Sequence, residues 1–209
     1  MRILKTVLAL SLMTTLARPL WGGEPHDTEK KFPSPDKQFA FQYGKGEAGD
    51  ESDEEAEVFN LIDARSGKVL LEVAKSDPDF GPSGRFEMEV LWRPDSKAFA
   101  VTATFNKRGS TLLVFVRKGT EFRAVDLPEL EVEITDKAKQ GKTFAKTTEI
   151  NSQSAKRWQK DGSLVAEIAT QEDGGYGSIR ATRTVVLGFD KTDKARILKS
   201  SIKFAIEKG

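Results

Sequence analysis

The chain has no cysteine and a single histidine among its 209 residues, and these two scarcities exclude more chemistry than any motif supplies. Without cysteine there is no disulfide framework, no thiol nucleophile and no thiolate metal site, so the core must hold the fold unaided. The lone His26 sits in a polar stretch beside Pro25. It has no second histidine for zinc and no surroundings for a catalytic dyad, and it reads as a tail residue. Net charge is also scarce, at a formal +1. A near-neutral chain lacks the basic excess that nucleic-acid affinity draws on, so no nucleic-acid partner is expected. Long apolar runs are missing beyond the N-terminus, where nothing approaches the ~20 residues that span a bilayer. There is no Gly-x-Ser-x-Gly elbow, no phosphate-cradling glycine loop and no histidine-based metal motif. No cofactor or metal is implied.

What is present begins with a leader. Arg2 and Lys5 supply a positive start, Val7 to Leu16 a short apolar run, and Leu16-Ala17 or Trp21-Gly22-Gly23 small residues for cleavage. Residues 1–22 therefore read as a secretory signal peptide, which places the mature chain in the periplasm or outside the cell. Losing Arg2, Lys5 and Arg18 with the leader takes the formal charge from +1 to −2. Residues 23–33 read as a flexible lead-in, polar and interrupted by Pro25 and Pro33. The remaining stretch, 34–209, is of a size for one domain with a sizeable core, and a hydrophobic content of 38% is enough to build it.

Period-two alternation dominates that domain. Phe39, Phe41 and Tyr43 share one strand face, as do Phe86, Met88, Val90 and Trp92. Leu112 to Val116 is apolar at every position, which predicts an interior strand covered on both sides. A phrase recurs along the chain: Trp92-Arg-Pro-Asp95-Ser-Lys-Ala-Phe-Ala100, Trp158-Gln-Lys-Asp161-Gly-Ser-Leu-Val-Ala166 and, more weakly, Ser34-Pro35-Asp36-Lys-Gln-Phe-Ala-Phe41. Recurrence at this spacing implies one supersecondary unit used several times. The aspartate has a physical task, since its side chain accepts backbone amides two residues on and so sets a turn. The tryptophan ends a strand and packs flat against the neighbouring unit.

The copy at Trp92, Pro94 and Asp95 resembles the Trp-Ser-Pro-Asp-Gly-Lys motif of TolB-like and WD40-like β-propeller repeats. Pro35 and Asp36 match its core, and Asp63-Ala-Arg-Ser-Gly-Lys68 resembles the turn between a blade's outer strands. The copy at Trp158 and Asp161 lacks the proline. The resemblance implies units of four antiparallel strands, at about 34–80, 86–126 and 155–206. Propellers close with about four to eight blades, so three copies imply an incomplete propeller, or a sandwich or barrel. The expected class is all-β, with blade-like units stacked on one another. One segment departs from it: Pro128, early acids, late lysines and Gly141 outline a short helix near 128–140. There, Leu130, Val132 and Ile134 alternate as a strand would.

The resemblance also implies binding rather than catalysis, since such repeats are common binding modules of bacterial envelopes. Aligning the copies puts three hairpin loops at equivalent places. The first is an acidic run with seven carboxylates between Glu47 and Glu57; the second carries Lys107 and Arg108; the third carries Glu172, Asp173 and Tyr176. Loops on a rigid scaffold are where binding residues concentrate. Lys107, Arg108, Glu172, Asp173 and Tyr176 are therefore the candidate binding residues. The acidic run offers oxygen ligands for calcium, although without the alternation and central glycine of an EF-hand. A basic cluster of Lys137, Lys139, Lys142, Lys146, Lys156, Arg157 and Lys160 reads as a solvating face, or one that meets anionic glycans or lipid head groups. Catalysis is left only to carboxylate pairs such as Glu87, Glu89 and Asp95. The sequence thus points to an exported, non-catalytic β-repeat protein that binds an envelope protein or glycan. A carboxylate-based glycoside hydrolase and a calcium-stabilised structural protein are the alternatives.

Overall fold

The computed structural model describes residues 29–46, 56–76, 86–106, 109–144, 150–174 and 177–208, and these form an almost wholly β structure. Strands β1 (Phe39–Lys45), β2 (Glu57–Asp63) and β3 (Val69–Lys75) make a three-stranded antiparallel sheet. Strands β4 (Glu87–Trp92), β5 (Ala98–Asn106), β6 (Gly109–Lys118) and β7 (Glu121–Ala124) follow as an antiparallel meander. A second meander runs through β8 (Ile150–Trp158), β9 (Leu164–Gly174), β10 (Gly177–Phe189) and β11 (Ala195–Lys208). The two meanders join in one eight-stranded sheet, curled into a half-barrel. The join is a short parallel pairing of β6 with β8, Gly109 opposite Asn151 and Ser110 opposite Ser152. Gly109 has a steric reason to be there, because a Cβ would stand 2.6 Å from the Asn151 carbonyl oxygen.

Among the described residues each meander has four strands and the first sheet has three. An antiparallel bridge also joins Lys31 to Phe41 of β1. Lys31 and Phe32, which the sequence assigned to a flexible lead-in, belong to the fold. The Phe32 ring meets Phe59 edge-on at 6.2 Å.

All three units are hinged on the same turn. The amides of Lys37, Ser96 and Gly162 donate to the carbonyls of Ser34, Arg93 and Gln159, closing a turn around Pro35-Asp36, Pro94-Asp95 and Lys160-Asp161. Proline suits the first central position because its ring presets φ. Each aspartate then accepts the amide two residues on: Gln38 at 3.1 Å, Lys97 at 3.0 Å and Ser163 at 3.0 Å. The residue after each aspartate is left-handed, with φ of 59° at Lys37, 57° at Ser96 and 83° at Gly162. Only the third copy uses the residue that adopts this conformation without cost.

The tryptophans stitch one unit to the next. Trp92 Nε1 donates to the Phe32 carbonyl at 2.9 Å, and Trp158 Nε1 donates to the Leu91 carbonyl at 2.9 Å. Phe32 and Leu91 each lie four residues before their own unit's aspartate, so the two stitches are copies of one joint. Each such bond contributes about 0.5–1.5 kcal/mol. Arg93 adds to the second joint by placing its guanidinium over the Trp158 ring at 5.8 Å.

Unit two is consequently the middle layer, and both of its faces are buried. Phe99, Val101, Ala103 and Phe115 face unit one, joining Phe39, Phe41, Phe59 and Leu61 in one core cluster. Ala100, Leu112 and Val114 face unit three, joining Leu164, Ala166, Ile168, Val185 and Leu187 in the other. The uninterrupted apolar run of β6 is explained by this position, since an interior strand has no solvent face to make polar.

The segment after β7 resolves its two readings in favour of alternation. Leu130 and Val132 are buried and Ile134 is packed against the same cluster, while Glu131 and Glu133 point outward. The helix is confined to α1 (Asp136–Lys139), capped by the Thr135 hydroxyl and ended by a left-handed Gln140. A helix starting at Pro128 would have spread those three apolar residues around its axis, whereas an extended strap buries them together. Among the described residues, no helix is long and apolar enough to cross a membrane.

Candidate functional site

The site originates where β6 and β8 part company. Beyond Ser110 the same edge of β6 is taken up by β7, and β8 pairs onward only with β9. A wedge opens between units two and three, and the strap of residues 127–144 lies over it. Gln153 fastens the strap: its Nε2 donates to the Leu130 carbonyl at 3.0 Å, and its Oε1 accepts from the Leu112 amide at 3.3 Å. Ser110 Oγ donates to the Gln153 carbonyl at 2.9 Å, so both sides of the wedge and its cover are tied at one residue.

Under the strap is a cavity of about 630 Å³ whose lining includes Ser110, Thr111, Asn151, Ser152, Thr170 and Glu172. Strand alternation explains the polar floor. On β9 the residues Leu164, Ala166, Ile168, Thr170 and Glu172 occupy one face. The first three fill the aliphatic core, and the stripe then turns polar as it leaves the core for the wedge. Thr170 Oγ1 donates to Asn151 Oδ1 at 2.7 Å.

Glu172 is the unusual member. It is 6% exposed, and its partner is Lys139 on α1, whose Nζ lies 2.9 Å from Oε2. That oxygen is fully buried and receives no hydrogen bond, so the contact is a charge pair set off the hydrogen-bonding line. A buried carboxylate is costly unless it is both paired and hydrogen-bonded. Glu131 and Glu133 of the strap border the cavity with their side chains exposed.

Of the five residues the sequence proposed for binding, Glu172 enters this cavity. The sequence placed it in a glycine-rich turn, but β9 continues to Gly174, so Glu172 is a strand residue held rigidly. Asp173 takes the opposite face of β9 and accepts from Gln171 Nε2 at 2.8 Å. Lys107, Arg108 and Tyr176 lie outside the described residues, as do His26 and residues 47–55 of the acidic run. Glu87 and Glu89 are exposed on β4, a strand at the end of the sheet, and Asp95 is committed to its turn and to Arg93 at 2.7 Å. Among the described residues, no group of three metal-ligating side chains is gathered.

Lys139, Asn151, Ser110 and Thr170 were not proposed for the site. Lys139 was grouped with its neighbouring lysines as part of a solvating face. A signal for Thr170 was present in the alternation of β9, where Thr170 and Glu172 interrupt an otherwise apolar stripe; Ser110 and Asn151 lie on β6 and β8 and carried none.

The turn aspartates are electrostatically distinct from this site. At Asp36 burial pushes the carboxyl up, but hydrogen bonds from Ser34, the Gln38 amide and Ser96 outweigh it and leave it below the usual value. Asp95 behaves likewise, with burial opposed by Arg93 and the Lys97 amide. The Ser163 hydroxyl and amide hold Asp161 down. These carboxylates stay ionised to serve turns, which is a structural use of charge.

Compared with protein-family models, with curated proteins and with solved structures, the chain matches none.

Proposed function

We propose that this chain is an exported, non-catalytic β-repeat protein of the cell envelope, periplasmic or secreted, whose units resemble those of TolB-like and WD40-like proteins. Its ligand-binding region is the cleft beneath the strap, and its partner is an envelope protein or glycan. The single observation that carries this reading is the polar cavity of about 630 Å³ with the buried Glu172 in it. Ligand sites are concave and of roughly 300–1,000 Å³, with a few convergent polar groups. Export rests on the N-terminal leader. The reading as non-catalytic rests on the sequence's lack of nucleophile, base and metal motifs, with Glu87 and Glu89 exposed on β4 and Asp95 engaged in its turn.

The test is a thermal-shift screen of the full chain against envelope peptides and glycan fragments. A ligand that raises the melting temperature should lose its effect when Thr170→Val and Asn151→Leu are combined, because both remove polar lining. A ligand indifferent to that double change, or no ligand at all, would sink the cleft as the binding region.

A further inference from the structure

We propose that the cleft receives a lysine side chain of a partner polypeptide, and that Lys139 is its tethered stand-in on Glu172. This rests on the cleft being the binding region. The argument begins with the carboxylate. An ionised Glu only accepts hydrogen bonds, and an ammonium only donates them, with three to give. Glu172 Oε2 is buried, is 2.9 Å from the Lys139 ammonium, and still lacks a hydrogen bond. Lys139 therefore satisfies the charge without satisfying the geometry. An ammonium arriving from a free ligand would not be constrained by a four-residue helix and could align with the oxygen.

The lining suits an ammonium as well. Ser110 and Thr170 border the same cavity, and a hydroxyl oxygen can accept from an ammonium. Displacement is cheap on the protein side, because α1 buries no side chain. Lys139 itself is 21% exposed at its side chain and has solvent to move into. The occupant already seen on Glu172 is a lysine carried on a short chain segment, which is why the ligand is assigned as a polypeptide lysine rather than an amino sugar.

The experiment is titration calorimetry on the full chain with four probes: a tri-lysine peptide, the same peptide acetylated on its side chains, glucosamine and N-acetylglucosamine. The tri-lysine peptide should bind, and its acetylated form should not. Lys139→Met removes the stand-in and should tighten tri-lysine binding about tenfold; Glu172→Gln should weaken it by about tenfold or more. Lys139→Gln, which keeps a polar side chain on α1, should act in the same direction as Lys139→Met and covers the case that the methionine variant does not fold. Equal binding of acetylated and free peptide, lost only in the Thr170 and Asn151 double variant, would overturn the ammonium assignment and leave the cleft standing. Binding of glucosamine without the peptide would overturn the polypeptide assignment. Tri-lysine binding that is unchanged in Lys139→Met, Lys139→Gln and Glu172→Gln would place the amine elsewhere and end the proposal.

Discussion

The two seams of the stack are made of different materials, and only one of them leaves room for a ligand. Between units one and two the contact is aromatic: Phe39, Phe41, Phe99 and Phe122 surround Trp92, with Phe59 and Phe115 in the same cluster. Across the seam Phe41 meets Phe99 edge-on at 5.1 Å, and Phe39 meets Phe122 edge-on at 5.1 Å. Between units two and three it is aliphatic, built from Leu, Val, Ile and Ala, and it gives way to Thr170, Asn151 and Glu172 at one end. Large flat rings bridge two separately hydrogen-bonded sheets, and each pair adds roughly 0.5–1.5 kcal/mol beyond its area. The aliphatic seam instead follows strands that start as neighbours and diverge. Shorter side chains cannot span the widening wedge, so a strap and a polar cleft occupy it.

The largest expected effect tests the aromatic seam. Phe99 has no exposed surface and touches Phe41, Trp92, Phe115 and Phe122. Phe99→Ala should cost about 4 kcal/mol, and Leu164→Ala on the other seam about 3 kcal/mol, read from urea midpoints. A reversed order would mean that the aliphatic seam carries the fold. Next is Lys139→Met, which leaves Glu172 buried without its counter-charge and should cost about 2 kcal/mol in the absence of ligand. Adding Glu172→Gln should restore most of that; a stability unaffected by Lys139→Met would show that the carboxylate is hydrated.

The repeated stitch permits a direct comparison of the seams. Trp158→Phe and Trp92→Phe each remove the indole donor and should each cost about 1 kcal/mol for the orphaned carbonyl. A loss confined to one variant would show that the two joints are not equivalent. A smaller effect, of opposite sign, belongs to the turn. Lys37 holds φ at 59° where Gly162 holds 83°, so Lys37→Gly should raise stability by about 0.5 kcal/mol. A loss would mean that the lysine side chain matters more than its backbone strain.

The last expected effect is on acid stability. Asp36, Asp95 and Asp161 sit below their ordinary value of 3.8 in the folded chain. A lowered folded pKa means the unfolded chain takes up protons first as pH falls. Their contribution is therefore present in full above about pH 4 and disappears as pH falls through the lowered values. Replacing all three by Asn, which retains an acceptor oxygen for the turn, should flatten the melting temperature between pH 4 and 2. A parent and variant with the same acid limb would assign acid unfolding to other groups.

Much of the framework was legible because its causes are local. Period-two runs marked β1 and β4, the uninterrupted apolar run marked β6, and the aspartate phrase marked turns that bond as the side chain's reach requires. The strap was legible as two options, and burial of Leu130 and Val132 selected one. The cleft was legible only in part. Glu172 stood out as an acid near a glycine-rich turn, but its burial depends on β9 running on past the core. Lys139 could not be distinguished from Lys137 or Lys142 by composition, because what separates them is which one reaches Glu172 across the strap. Of the expected rim, Lys107, Arg108 and Tyr176 lie outside the described residues.

The amino-acid order by itself determined an all-β chain without thiol chemistry, divided into like units by three aspartate turns. Those features follow from side-chain alternation and short-range hydrogen bonding, which need no distant partner. Tertiary structure alone decided that unit two lies between the others and that one seam closes while the second opens. It alone set Lys139 against a buried Glu172. Those outcomes turn on where β6 and β8 separate, a geometry fixed by strands far apart in the chain and therefore written in no single stretch of it.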